Sequence, residues 1–187
     1  MNAAHRYDNP VRPHRGFRYA LDLHGTHQVL GSDTALVQIL AEGSYLLPLP
    51  WRFSLHTRAK VGTTLLNDPL RDIPPSLRFF TGGDQTVRGY SYQSLGPRDA
   101  SGKVVGGTQL LTSSIELERE IFKDWGVSLF FDAGNAFNSF TNVHLFQGAG
   151  VGLHYFTSVG ALNLSVARPL GVDNPTIHFH FTVGFEL

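Results

Sequence analysis

The sequence predicts an all-β protein, an antiparallel transmembrane β-barrel segment of about eight strands. Three observations predict it. Apolar and polar residues alternate with period two along most of the 187-residue chain, the mark of strands with two unlike faces. The polar faces hold Arg, Lys, Glu, Asp and His near mid-strand, while the apolar faces are almost free of charge, as in a wall between lipid and a wet lumen. Most connections also alternate in length. Tight turns fall at Pro48–Pro50, Phe122–Trp125 and Phe156–Val159, and longer connections at 67–105, 134–146 and 169–175, the asymmetry of bacterial membrane barrels.

The strands follow in chain order. From Gly16, Phe17, Tyr19, Leu21 and Leu23 oppose Arg18, Asp22 and His24. A short hairpin near Gly31–Asp33 leads to Val37, Ile39, Ala41, Tyr45 and Leu47, whose opposite face mixes Gln38, Glu42 and Ser44 with leucines. Phe53, Leu55, Ala59 and Val61 then oppose Arg52, Ser54, His56, Arg58 and Lys60. Leu111, Ile115, Leu117 and Ile121 oppose Thr112, Ser114, Glu116, Glu118 and Glu120. Val127, Leu129, Phe131 and Ala133 oppose Ser128, Asp132 and Gly134. Ala149, Val151, Leu153 and Tyr155 oppose Gly148, Gly150, Gly152 and His154, and Leu162, Leu164 and Val166 oppose Asn163 and Ser165. The final strand sets Ile177, Phe179, Phe181, Val183, Phe185 and Leu187 against His178, His180, Thr182, Gly184 and Glu186.

Composition narrows the function classes. Lys+Arg and Asp+Glu are 15 each, so the basic excess of a nucleic-acid partner is absent. Charged residues make up 16% of the chain, against about 25% in soluble domains. The absence of Cys excludes disulfides, thiolate metal sites and a Cys nucleophile. No run reaches the roughly 18 apolar residues of a spanning helix, which leaves a barrel open. Alternation alone does not say which face points inward. With the faces swapped, the chain is a self-contained eight-stranded barrel that holds an apolar ligand among Phe179, Phe181 and Phe185.

Residues 67–105 form the one large connection, and a loop of that length is usually functional or disordered. Phe79, Phe80, Tyr90 and Tyr92 suggest that it is packed. Its stretch Ser76-Leu77-Arg78-Phe79-Phe80-Thr81-Gly82-Gly83-Asp84-Gln85-Thr86-Val87-Arg88-Gly89-Tyr90 resembles the Val-Arg-Gly-aromatic loop of the BamA/TamA superfamily of outer-membrane barrels, also called the bacterial surface antigen family. Gln93 to Asp99 and Gly106-Gly107 are most similar to the TamA branch. Phe131-Asp132-Ala133-Gly134-Asn135-Ala136-Phe137 resembles the family's Asp-containing strand. Gly148 to Leu153, Ser158-Val159-Gly160 and Arg168-Pro169-Leu170 resemble its penultimate hairpin. The resemblance covers roughly residues 15–187, and the order and spacing of the motifs make it specific.

The resemblance implies a sixteen-strand barrel of which residues 16–187 are the C-terminal half, with 67–105 as a lumen loop and 1–15 as a polar N-terminal stretch. It implies an outer-membrane barrel that helps insert or secrete client β-barrel or autotransporter proteins. It also implies contact with outer-membrane lipid and a periplasmic partner of the TamB type. No cofactor, metal, nucleic acid or covalent catalysis is expected. Residues 1–15 lack the apolar core of an export signal, so localisation in the bacterial outer membrane would belong to a longer precursor. This part is not expected to act alone.

In such a family the loop folds into the lumen, where its Arg meets an inward-facing acid. The loop motif is Val87, Arg88, Gly89 and Tyr90. The period-two count puts Asp132 on the polar face, so it is the expected loop-docking acid, because a guanidinium can grip a carboxylate bidentately. The alternative is that both charges are solvated in a wet lumen. Among Glu116, Glu118 and Glu120, Glu118 is the expected further loop contact and the others are hydrated pore charges. An eight-strand interior is filled by its own side chains, so the loop lies outside or the sheet belongs to a larger barrel. Phe179, Phe181, Gly184 and Leu187 resemble a terminal barrel-assembly signal, read by strand addition at a sheet edge.

Other chemistry is weakly signalled. His178 and His180 share a face two residues apart, as two metal ligands could, but solvated lumen histidines fit as well. Gly148, Gly150 and Gly152 sit in a strand with no following helix, which fails the test for a phosphate loop. They make room for a neighbouring loop or for sharp curvature. A small outer-membrane lipid-acting enzyme would need a Ser/His/acid cluster, with His144 and His154 as the histidines to examine.

Overall fold

The computed structural model describes residues 2–7, 14–26, 36–66, 74–141, 143–158 and 160–184. They form one antiparallel sheet whose spatial order is the chain order, β1 to β9. The strands are β1 Asn2–Tyr7, β2 Gly16–Thr26, β3 Leu36–Leu49, β4 Phe53–Leu66, β5 Gln109–Phe122, β6 Trp125–Phe137, β7 Phe146–Thr157, β8 Gly160–Leu170 and β9 His178–Gly184. One short 3-10 turn, Pro75–Leu77, is the helical element among the described residues. The Gly31–Asp33 hairpin and Leu187 lie outside the described residues.

Among the described residues the strands number nine, one more than alternation predicts. The extra strand comes from the polar stretch 1–15, where Asn2 to Tyr7 pair with Leu21 to Gly16. A six-residue strand with little pattern is specified by its neighbour: the edge of β2 offers a row of N–H and C=O groups that must find partners.

Burial decides which face points where. Ser114, Ser128, Asp132, His154 and His180 are buried, whereas Leu129, Val151, Phe179 and Phe181 are exposed, the last two at 74% and 63%. A soluble domain does the reverse. The apolar side is therefore the outer side, and the swapped arrangement with Phe179 and Phe181 around a ligand is not the one adopted. Strands β3 to β7 have 12 to 14 residues, more than the roughly 9–11 that cross a bilayer at a tilt. A charge on the outer face has no water to meet at mid-bilayer. Leu129→Arg is expected to cost about 2–4 kcal/mol, read as a lower urea midpoint in lipid vesicles. An unchanged midpoint would contradict the lipid-facing assignment.

One end of the sheet has tight turns. Leu49 pairs with Phe53, and the three-residue β3–β4 connection between them puts Trp51 and Arg52 at φ 60° and 63°, a left-handed pair that turns the chain tightly. Trp125 and Tyr155 pack against each other at the same end, with centroids 4.7 Å apart. Arg52 Nη2 meets Glu120 Oε1 there at 2.7 Å.

The long connection between β4 and β5 lies on the polar face. Phe79 enters a small inner cluster with Leu110 and Ala136, and Leu40 of β3 packs against it. Gly62 leaves space for the Phe79 ring, since a Cβ there would come within 2.6 Å of Phe79 Cζ. Bridges Phe79–Gly107, Thr81–Leu95 and Arg98–Val104 brace the loop internally. Gln38 Nε2 donates to the Leu77 carbonyl at 3.0 Å. Asp99 Oδ1 accepts from Ser101 Oγ at 2.6 Å and from the Lys103 amide at 3.0 Å. These bonds, the Ser101 hydroxyl foremost, hold the Asp99 carboxyl below its ordinary range.

Candidate functional site

The site forms where this loop meets β5 to β9. Val87 is fully buried, and the Arg88 side chain next to it is nearly so. Arg88 grips Asp132 with three donors: Nε to Oδ2 at 2.8 Å, Nη2 to Oδ1 at 2.9 Å, and its own amide to Oδ2 at 3.0 Å. The bidentate fork fixes the plane of the guanidinium as well as its position. That plane lies over the Phe130 ring, with Cζ 3.4 Å from the centroid, an arrangement favourable to a desolvated cation.

A second acid completes the shell, and it is Glu116 rather than Glu118. Arg88 Nη1 donates to Glu116 Oε2 at 2.7 Å, and Nη2 lies 3.3 Å from Ser114 Oγ. The register explains the correction. Ser114 stands opposite Asp132 and Glu116 opposite Phe130, while Glu118 stands opposite Ser128. At about 3.4 Å per residue, Glu118 is some 7 Å farther along the strand than Glu116. Glu118 is buried, with its carboxylate 3.4 Å from His56 Nε2.

Glu116 is itself supported. Its Oε1 accepts from Ser128 Oγ at 2.6 Å and lies 3.2 Å from His154 Nε2. Ser128 Oγ is 2.8 Å from that same nitrogen. His154 Nδ1 donates to Asn163 Oδ1 at 2.9 Å, and Asn163 Nδ2 reaches Thr182 Oγ1 at 3.4 Å. A polar line thus runs from the loop across β5, β6, β7, β8 and β9. Ser128, His154 and Asn163 stand in the order of a hydrolase triad. The Ser128 hydroxyl donates to Glu116, however, so the trio holds the acid that meets Arg88. His144 packs edge-on against Phe146 at 4.9 Å, and its carbonyl accepts from Asn135.

Two glycines let the loop come this close. Gly89 has φ 94°, and a Cβ there would fall 2.7 Å from the Arg168 carbonyl carbon. Gly148 lies beneath the Arg88 carbonyl, which a Cβ at that position would strike. Tyr90 closes the motif edge-on against Phe146, with centroids 5.7 Å apart. A cavity of about 240 Å³ opens before the cluster, bordered by Arg88, Glu116, His154, His180, Arg58 and Tyr7. Among the described residues, no group of three or more His, Cys, Asp or Glu is placed to hold a metal ion.

With this geometry in place, the comparisons with known proteins are specific. The Omp85 superfamily domain model matches residues 4–187. The chain belongs to the Omp85 superfamily. The outer membrane protein assembly factor BamA of Nitratidesulfovibrio vulgaris is 28% identical over 148 residues, 75% of this chain and 19% of that protein. The crystal structure of BamA from Haemophilus ducreyi lacking POTRA domains 1–3 shares the fold. Its TM-score is 0.78 at 22% identity, over 96% of this chain and 40% of that one. The chain thus spans about a fifth of the curated relative's length. Membership places this Omp85 chain in the bacterial outer membrane, in agreement with its outward apolar face.

Sequence reasoning missed Phe130, Asn163, Asp84 and the role of Glu116. Phe130 breaks the alternation by facing inward, 5% exposed, among polar neighbours. That break was the available signal. The acids can be tested against each other. Glu116→Gln is expected to weaken loop docking by about 1–3 kcal/mol through loss of a charge-assisted bond, seen as faster trypsin cleavage at exposed Arg98 and Lys103. Glu118→Gln is expected to leave that cleavage rate unchanged, and equal effects would refute the assignment.

Proposed function

We propose that this Omp85 chain is the loop-bearing part of an outer-membrane barrel that helps client β-barrel or autotransporter proteins insert or be secreted. The observation that carries this reading is the Arg88 motif held by Asp132 and Glu116 inside an Omp85 sheet. The curated relative is named an assembly factor, which supports the reading. Similarity of Gln93 to Asp99 to the TamA branch supports autotransporter clients and a periplasmic partner of the TamB type. Outer-membrane lipid is the other partner, contacted by the outer face. Phe179, Phe181, Gly184 and Leu187 serve as the assembly signal of the chain itself. The mechanism is strand addition and loop placement, with no covalent chemistry. The activity belongs to a larger barrel than these strands make alone.

The test is assembly of clients in cells whose sole copy of the full-length protein carries Arg88→Ala. Expected is a several-fold fall in the folded, heat-modifiable form of an autotransporter barrel. A loss restricted to autotransporters supports the TamA-like reading, and a loss across all barrels favours a BamA-like one. Normal assembly at a normal level of the variant would overturn both.

A further inference from the structure

The same loop makes a second attachment that its Arg does not explain. The Gly89 amide donates to His180 Nε2 at 3.2 Å, and His180 Nδ1 bonds Asp84 Oδ1. His180 lies on β9 and is buried. Consecutive loop residues therefore reach different parts of the sheet: the Arg88 side chain binds β5 and β6, while the Gly89 amide binds β9. Because an amide N–H can only donate, Nε2 is the accepting nitrogen. Nδ1 then carries the proton that it shares with Asp84.

Among the described residues β9 has one ladder partner, β8, over Ala161–Gly184 to Ala167–His178. A strand laddered on one side is the least restrained in a sheet. We propose that His180 latches β9 to the docked loop, so that the position of β9 and the seating of Gly89 depend on each other. Displacing β9 from β8 must also pull His180 from Gly89 and Asp84. Releasing the loop tip removes the bonds that His180 of β9 makes with Gly89 and Asp84. His180 is a positioning residue, acting through the backbone next to Arg88. The structural contact is independent of function; its consequence for clients rests on the assembly reading above.

The test uses the full-length protein in lipid nanodiscs. This chain has no Cys, so introduced cysteines are the labelling sites within it. One spin-label pair joins exposed Gln85 of the loop to exposed Val183 of β9. A reference pair joins Gln85 to exposed Ser113 of β5. In the parent both distance distributions are expected to be narrow. His180→Ala is expected to broaden the Gln85–Val183 distribution at least twofold and to leave Gln85–Ser113 unchanged. His180→Gln, whose amide oxygen can accept from Gly89, is expected to restore most of the narrow distribution. Should His180→Ala fail to insert, Asp84→Ala leaves β9 intact and is expected to broaden the same pair. An unchanged Gln85–Val183 distribution, or equal broadening of both pairs, overturns the latch. Client assembly measured on the same variants separates the two readings: shifted distances with normal assembly keep the latch and refute the assembly role.

Discussion

Arg88→Ala is expected to free the loop from the sheet and to cost about 3–5 kcal/mol, the usual penalty for removing one partner of a buried ion pair. Two carboxylates, Asp132 and Glu116, would remain in the lumen facing each other without their shared cation. The Phe130 ring would lose its guanidinium cover as well. Arg88→Lys is expected to rescue little, because an ammonium cannot reproduce the fork to Asp132 together with the Nη1 bond to Glu116. Asp132→Asn is expected to be milder than Arg88→Ala, since an amide oxygen standing where Oδ2 does can still accept two of the three bonds. The checks are urea midpoints in vesicles and trypsin cleavage at Arg98 and Lys103. Combining Arg88→Ala with Asp132→Ala and Glu116→Ala should cost less than the sum of the single changes, since the groups form one network. An Arg88→Ala protein with a parental midpoint and a protected loop would mean that the cluster is an ordinary set of hydrated lumen charges.

The second large effect needs only one added methyl. At Gly89, alanine would hold a positive φ, at about 1–3 kcal/mol, and would press on the Arg168 backbone, where overpacking costs about 1–3 kcal/mol more. Neither neighbour is a flexible side chain that could swing away. Gly148→Ala meets the Arg88 carbonyl from the opposite side and is expected to expel the same loop without touching its sequence. Both variants should show fast cleavage at Arg98 and Lys103. Gly43→Ala is the control: nothing lies within 4 Å of its Cβ position, so it is expected to be neutral or slightly stabilising. If Gly148→Ala leaves the loop as protected as Gly43→Ala does, the loop does not sit on β7.

The sequence by itself determined a great deal of this protein. Alternation depends only on the two-residue repeat of a strand, so it located β2 to β9 and told the lumen face from the lipid face once charge was counted. Arg88 and Asp132 were legible as a pair because a motif named the cation and the period put the acid on the right face. Strand β1 was not legible, because Asn2 to Tyr7 are ordered by the edge of β2 rather than by their own pattern.

The tertiary structure alone decided the choice between Glu116 and Glu118. Both lie on one face, and only the register with β6 and the reach of the loop separate them. The His154–Asn163 pair depended in the same way on which residues stand opposite each other in β7 and β8. His180 needed the most: Gly89 and Asp84, 91 and 96 positions away in the chain, meet it. Period-two patterning carries no information about such distant contacts, because it records which way a side chain points and not what a folded loop brings to it.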